Sequence, residues 1–193
     1  MRLQLLRHLP VCLPEGVCYG ASDIDAQPLT DGDLDRVQAS LLATPTLMVS
    51  SPLRRCRVLA DALSPSAVVT RFDSRLQEMN FGAWELQRWD DIDRQQIDDW
   101  AAAPWDYCPP GGERANDLRD RCLAALVEAL DEARRRHLTQ LLIVTHGGPI
   151  RVIRGHLLAL PQQDWLDGSC APGALFSLRQ RPDGPWRVDA PGG

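Results

Sequence analysis

The chain contains no lysine: all 21 of its basic residues are arginine. That excludes a Walker-type phosphate loop, a Schiff-base amine and a pyridoxal enzyme. Six cysteines are present, Cys12, Cys18, Cys56, Cys108, Cys122 and Cys170, but none forms C-x-x-C or stands at zinc spacing with a histidine. They read as reduced thiols, most of them buried, and no metal or other cofactor is expected. Cys56 stands out because it neighbours Arg55. G-x-S-x-G, H-E-x-x-H and calcium-loop patterns are missing too. No stretch approaches the roughly 20 apolar residues of a membrane span. The apolar run after Met1-Arg2 is too short for a secretory leader, so the expected compartment is the cytoplasm, with no membrane partner. A net charge of −5 argues against nucleic acid.

What remains is ordinary for a globular protein: 193 residues, 44% hydrophobic and 24% charged. One domain over 1–193 is the default at this length. The informative pattern is how the apolar runs end. Leu3-Gln4-Leu5-Leu6 stops at Arg7-His8. Leu47-Met48-Val49 leads to Ser50-Ser51-Pro52-Leu53-Arg54-Arg55, and Leu141-Leu142-Ile143-Val144-Thr145 stops at His146-Gly147-Gly148. Runs of this kind read as buried strands. In open α/β sheets the ligand crevice lies outside the carboxyl ends of the strands. Two of the four histidines sit at such ends. A cluster of His and Arg without Lys suits an anion, and the forked donors of Arg match phosphate oxygens.

Between these runs the chain alternates loops and helical patterns. Leu9 to Gln27 is a long loop rich in turn formers, and such loops are usually functional. Its Cys18-Tyr19-Gly20-Ala21-Ser22-Asp23 stretch is expected to line a pocket beside His8. Thr30 is a candidate N-cap for a helix with Leu34, Val37, Leu41 and Leu42 on its buried face, closed by Pro45. Ser51 and Pro52 predict the next helix start, with Val58, Leu59, Ala62 and Leu63 facing the core and Arg54 and Arg57 in solvent. A helix N-terminus there offers free N–H groups to an anion.

Ala67 to Phe72 reads as a short strand. It leads to two carboxylates, Glu78 and Glu85, around an aromatic and glycine turn. A carboxyl group among apolar neighbours can hold its proton and act as a general acid. An excursion over 84–112 follows. It holds four of the six tryptophans, and Trp89, Ile92, Ile97 and Trp100 suggest an amphipathic helix flanking the pocket. A long helix then carries Leu118, Cys122, Ala125, Leu126, Ala129, Leu130 and Ala133 inward and ends in Arg134-Arg135-Arg136, with His137 beside them in solvent. Pro149 predicts the start of a helix after His146, stopped by Pro161; His156 within it reads as structural or surface. Ala174–Leu178 and Trp186–Val188 flank Pro182-Asp183-Gly184 as a terminal hairpin.

Taken together, five blocks resemble the histidine phosphatase (phosphoglycerate-mutase-like) superfamily, in its order. They are Leu6-Arg7-His8; Ser50-Ser51-Pro52-Leu53-Arg54-Arg55; the stretch from Leu76 to Glu85; Pro110-Gly111-Gly112-Glu113; and Val144-Thr145-His146-Gly147-Gly148-Pro149-Ile150-Arg151. The resemblance implies a three-layer α/β/α sandwich with a mostly parallel central sheet. It also implies a metal-independent phosphohistidine mechanism on a small phosphorylated metabolite. By position, His8 would be the nucleophile. Arg7, Arg55 and His146 would clamp the phosphoryl group, and Glu78 would protonate the leaving oxygen. Tyr19, Gly20, Ser22 and Gly147 would add substrate contacts. Leu9 and Leu86 stand where the family usually has Gly, and Leu59 where Thr is common.

Gly16-Val17-Cys18-Tyr19-Gly20 with Ser22-Asp23, in a short chain, is similar to the α-ribazole phosphatase branch, which implies α-ribazole 5′-phosphate, of cobalamin biosynthesis, as substrate. The alternatives are a phosphoglycerate mutase, a broad-specificity sugar-phosphate phosphatase and an inactive phospho-ligand-binding module. Oligomeric state is open, a homodimer among the outcomes.

Overall fold

The computed structural model describes residues 1–41, 47–64, 69–182 and 184–189. Six strands form one sheet: β1 (Arg2–Arg7), β2 (Leu47–Ser50), β3 (Val69–Phe72), β4 (Gln140–Thr145), β5 (Leu175–Gln180) and β6 (Trp186–Val188). Their order is β3-β2-β4-β1-β5-β6. The four strands from β3 to β1 run parallel, and β5 and β6 close the edge antiparallel as the expected hairpin. Five helices accompany them: α1 (Asp31–Ser40), α2 (Arg54–Leu63), α3 (Arg94–Ala102), α4 (Ala115–Arg135) and α5 (Gly147–Leu157).

The strands are apolar on both faces because both faces are covered. Leu3, Leu5, Leu47, Val49, Leu141 and Ile143 pack with Ala125, Leu126 and Ala129 of α4 and with Ile150 and Ile153 of α5. The alternate residues Leu6, Met48, Leu142 and Val144 pack on the other side with Val37 of α1 and Cys56, Leu59, Ala60 and Leu63 of α2. That period-two split across one sheet makes the three layers.

Several helix ends differ from expectation. Ser51 does not cap α2, which begins at Arg54 after Leu53; the Arg54 amide is instead met by Asp23 Oδ1 at 2.7 Å, from the loop after β1. The buried stripe of α2 runs 56, 59, 60, 63, the i, i+3, i+4, i+7 spacing, which leaves Val58 45% exposed rather than in the core. In the excursion only Arg94–Ala102 is α-helical, so Trp89 and Ile92 precede the helix. α5 starts at Gly147, two residues before Pro149, with His146 as its N-cap. Thr30 does cap α1, through a reciprocal pair with Asp33. Leu42, Pro45, Ala67, Val68 and Asp183 lie outside the described residues.

Candidate active site

Strand register builds the site. Arg7 pairs with Thr145 and Ser50 with Val144, so β1, β4 and β2 end at the same level. The residues that follow, His8, His146 and Ser51, are therefore neighbours. The His8 amide donates to Thr145 O at 3.0 Å and the Ser51 amide to Val144 O at 2.9 Å. The two imidazole rings are 5.2 Å apart, centroid to centroid. Arg55, in the first turn of α2, reaches across so that its Nε donates to His146 Nδ1 at 3.1 Å.

The hydrogen bonds fix how each ring can act. His8 Nδ1 lies 2.7 Å from its neighbour's carbonyl, Leu9 O. A carbonyl only accepts, so Nδ1 carries the proton and Nε2 keeps its lone pair. Burial, opposed by that hydrogen bond and aided by Arg55 and Arg7, pulls His8 down from 6.5 to about 3. The ring is neutral at pH 7. His146 is held well below its ordinary value by complete burial and by Arg55. Its Nδ1 accepts from Arg55, so its Nε2–H donates to Ser51 Oγ at 2.8 Å. Leu9, where the family favours Gly, turns its side chain into the core beside Leu6 and Val37 and leaves its carbonyl for His8.

Two guanidinium groups stand here without a carboxylate among the described residues. Arg7 Nη1 donates to Cys170 O, while its buried Nε has no hydrogen-bond partner. Arg55 is 1% exposed and donates from Nη1 to Ser22 O at 2.7 Å and from Nη2 to Gly20 O at 2.5 Å. Other partly buried arginines are paired with acids: Arg75 lies between Asp73 and Glu128, and Arg121 grips Glu113. Buried charge without a partner is costly, and two such guanidinium groups beside a neutral imidazole are what an anion would neutralise.

Glu78 arrives from the turn after β3. Its carboxylate accepts from Gly148 N, in the first turn of α5, at 3.1 Å and from Met79 N at 3.0 Å. A Cβ on Gly148 would sit 2.3 Å from Glu78 Oε1, so only glycine admits the carboxylate there. Gly147 is less confined: a Cβ on it would lie 3.2 Å from Arg151 Nη1 and 3.6 Å from Arg7 Cζ. Arg121, in α4, carries no signal in the sequence, yet it holds the turn. Its Nη1 donates to Arg75 O and Gln77 O and its Nη2 to Glu78 O. Ser51, expected as a cap, binds His146 instead. Neither role has a local sequence signal, because both partners are distant in the chain.

The loop after β1 also comes to the site. The Tyr19 ring is 6.5 Å from the His8 ring and 5.4 Å from Arg55 Cζ. Gly20 and Ser22 meet Arg55 through their carbonyls. Cys56 packs against His146 as a fully buried thiol whose pKa burial pushes up, so it is not a reactive group. His137 and His156 are away from the site, as expected; His156 edges against Trp165. Trp84, Trp89 and Trp100 pack on one another with Phe81 and Tyr107. A polar cavity of about 290 Å³ lies beside Glu78, lined among others by Ala21, Gln77, Asn80 and Glu113. A larger one, about 670 Å³, lies between α1 and β5; neither cavity is lined by Arg7, His8, Arg55 or His146, and only the smaller one includes Glu78. Among the described residues no group of His, Cys, Asp and Glu could hold a metal, and no helix is long and apolar enough to cross a membrane.

Comparison with known proteins fits this geometry. Residues 5–190 match the family model "Histidine phosphatase superfamily (branch 1)". The chain belongs to that superfamily. Glucosyl-3-phosphoglycerate phosphatase of Mycobacterium tuberculosis is 30% identical, over 97% of this chain and 92% of that protein. The native structure of the mycobacterial glucosyl-3-phosphoglycerate phosphatase superposes with a TM-score of 0.81 at 26% identity, covering 97% of this chain and 96% of that one. The α-ribazole phosphatase from Shigella flexneri shares the fold, with a TM-score of 0.81 at 24% identity over 97% of this chain and 95% of that one. This histidine phosphatase is a phosphoric monoester hydrolase, and the phosphoglycerate-mutase-like fold expected from its blocks is the one observed.

Proposed function

We propose that the enzyme works through a phosphohistidine at His8 and needs no metal. The observation that carries this reading is a neutral, buried His8 set beside two guanidinium groups that no carboxylate neutralises. His8 Nε2 attacks phosphorus as the ester P–O bond breaks, and the leaving oxygen takes a proton from Glu78. Water then attacks phosphorus, gives its proton back to Glu78, and breaks the P–N bond to release phosphate and neutral His8. Arg7 and Arg55 hold the phosphoryl oxygens throughout; His146 adds its Nε2–H, here held by Ser51. Phosphoryl transfer asks mainly for positioning and charge neutralisation, which this cluster provides.

For the leaving group we propose a sugar-bearing alcohol, seated in the polar cavity beside Glu78. The relative at 30% identity favours glucosyl-3-phosphoglycerate. The stretch from Gly16 to Asp23 favours α-ribazole 5′-phosphate, and the two are to be compared directly. The test is rapid-quench labelling with each ester. We expect acid-labile phosphate on the wild type, none on His8→Ala, and turnover that persists in chelator. Isomerisation of 3-phosphoglycerate without phosphate release would make the enzyme a mutase. Absence of turnover on every ester would make the site a binding module.

A further inference from the structure

Glu85 does not reach the histidine cluster, yet it is the most heavily bonded carboxylate near it. Oε1 accepts from Ala21 N at 2.8 Å and Phe81 N at 3.0 Å. Oε2 accepts from Gly20 N at 3.2 Å, from Ser22 N at 2.8 Å and from the Ser22 hydroxyl. Two of these three loop residues face Arg55 from the other side, where Gly20 O and Ser22 O accept from its two terminal nitrogens. The Gly20–Ala21 peptide unit is therefore held at both ends, its N–H by the Glu85 carboxylate and its carbonyl by the Arg55 guanidinium, and Ser22 is tied to Glu85 through its N–H and to Arg55 through its carbonyl. Polarising an amide from both ends strengthens each hydrogen bond.

The rest of the local structure holds Glu85 to this task. Segment 16–18 is zipped to 86–89: Leu86 N donates to Cys18 O, Cys18 N to Gln87 O and Trp89 N to Gly16 O, each at 2.8 Å. Leu86, immediately after Glu85, has φ +67°, a left-handed conformation a leucine rarely takes. Gly20 has no room for a side chain, since a Cβ would lie 1.9 Å from Met79 O and 2.8 Å from Glu85 Oε1. Strain and close approach of this kind persist where the surroundings over-determine a geometry.

We infer that Glu85 is a positioning residue for Arg55: through the peptide units of 20–22 it sets where the guanidinium presents its two remaining N–H groups to the phosphoryl oxygens. This rests on the proposed role of Arg55. Arg55 has five N–H donors, three of them engaged by His146, Ser22 and Gly20, so the direction of the other two is fixed by those partners.

The test is a double-mutant cycle on Glu85→Gln and Arg55→Ala, read by inhibition with inorganic phosphate and by kcat and KM on p-nitrophenyl phosphate. Gln keeps the shape of Glu85 but only one oxygen, so it cannot accept from all five donors. We expect Glu85→Gln to weaken phosphate binding about tenfold, and to add nothing in the Arg55→Ala background, where there is no guanidinium to place. Losses that simply add would overturn the inference, because a general structural defect is indifferent to Arg55. Unchanged phosphate binding in Glu85→Gln would overturn it as well. Should Glu85→Gln fail to fold, Ser22→Ala removes one donor to the same carboxylate, and the same cycle applies with a smaller loss. Failure of the phosphohistidine reading shows separately, as a wild type that releases no phosphate or a His8→Ala variant that still does.

Discussion

Arg55 Nε donates to His146 Nδ1, and this bond makes His146 the opposite tautomer to His8. His8 carries its proton on Nδ1, against Leu9 O; His146 carries its proton on Nε2, against Ser51 Oγ. One ring thus offers a lone pair and the other an N–H. In ¹⁵N spectra at pH 7 we expect both rings neutral, with the protonated nitrogen assigned to δ1 in His8 and ε2 in His146. Ser51→Ala should leave the His8 pattern intact and loosen that of His146. Identical tautomers in the two rings would refute the hydrogen-bond network described here.

Gly148→Ala tests how Glu78 is seated. The added methyl would meet Glu78 Oε1 at 2.3 Å, so the carboxylate must leave the α5 amide. Loss of a positioned acid costs about 10²–10⁴-fold when fully removed, so a displaced one should cost about tenfold or more. The effect should be large for alkyl phosphates, whose leaving oxygen needs the proton, and small for p-nitrophenyl phosphate. An equal loss on both esters would remove Glu78 from the acid role.

Acid should destabilise the fold from an unusually high pH. His8 and His146 both have folded pKa values below the unfolded value of 6.5. Below 6.5 the unfolded chain binds protons that the folded chain refuses, so stability falls as pH falls. Each such histidine contributes a slope of about 1.4 kcal/mol per pH unit in that window. For His8 the slope ends near pH 3. Glu85 acts in the same direction further down: burial raises its pKa, but hydrogen bonds from Ser22, Phe81 and Gly20 outweigh this and hold it low, and that stabilisation is lost as pH falls through the folded value. Denaturant titrations between pH 7 and 4 should show the slope, and His8→Asn should flatten it. A wild-type stability independent of pH between 6.5 and 5 would contradict the buried neutral rings.

The sheet and its chemistry were legible because apolar runs that end in Arg-His or His-Gly-Gly leave few other readings. The long stripe from Leu118 to Ala133 was legible for the same reason: its period is carried by the residues themselves. What escaped was settled by partners far along the chain. Ser51 looked like a cap, but the Arg54 amide is taken by Asp23 and Ser51 is left to His146. Val58 looked buried because it is apolar, yet the stripe of α2 falls on Cys56, Leu59, Ala60 and Leu63. Glu85 read as a candidate acid beside Glu78, and only the fold shows its oxygens turned to the amides of 20–22. The tryptophans of 84–105 gave no sign whether they face a ligand or one another.

Leu86 offers a separate check on the local geometry. It departs from the family's usual Gly and keeps the backbone that Gly would adopt, with φ +67°, and the residue is 57% exposed. A left-handed conformation costs an L-residue roughly 1–2 kcal/mol, and Gly gives back about 0.5–1 kcal/mol in unfolded-state entropy. Leu86→Gly should therefore be more stable than Leu86→Ala by about 0.5–1 kcal/mol, or about 1–4 °C in Tm for a chain of this size. Alanine is the proper reference because it removes the same exposed side chain without freeing φ. If Glu85 is placed by this turn, Leu86→Gly should also preserve phosphate affinity while Leu86→Pro, whose φ is locked near −65°, should weaken it along with stability. A glycine variant no more stable than the alanine one would mean that Leu86 does not hold the left-handed conformation.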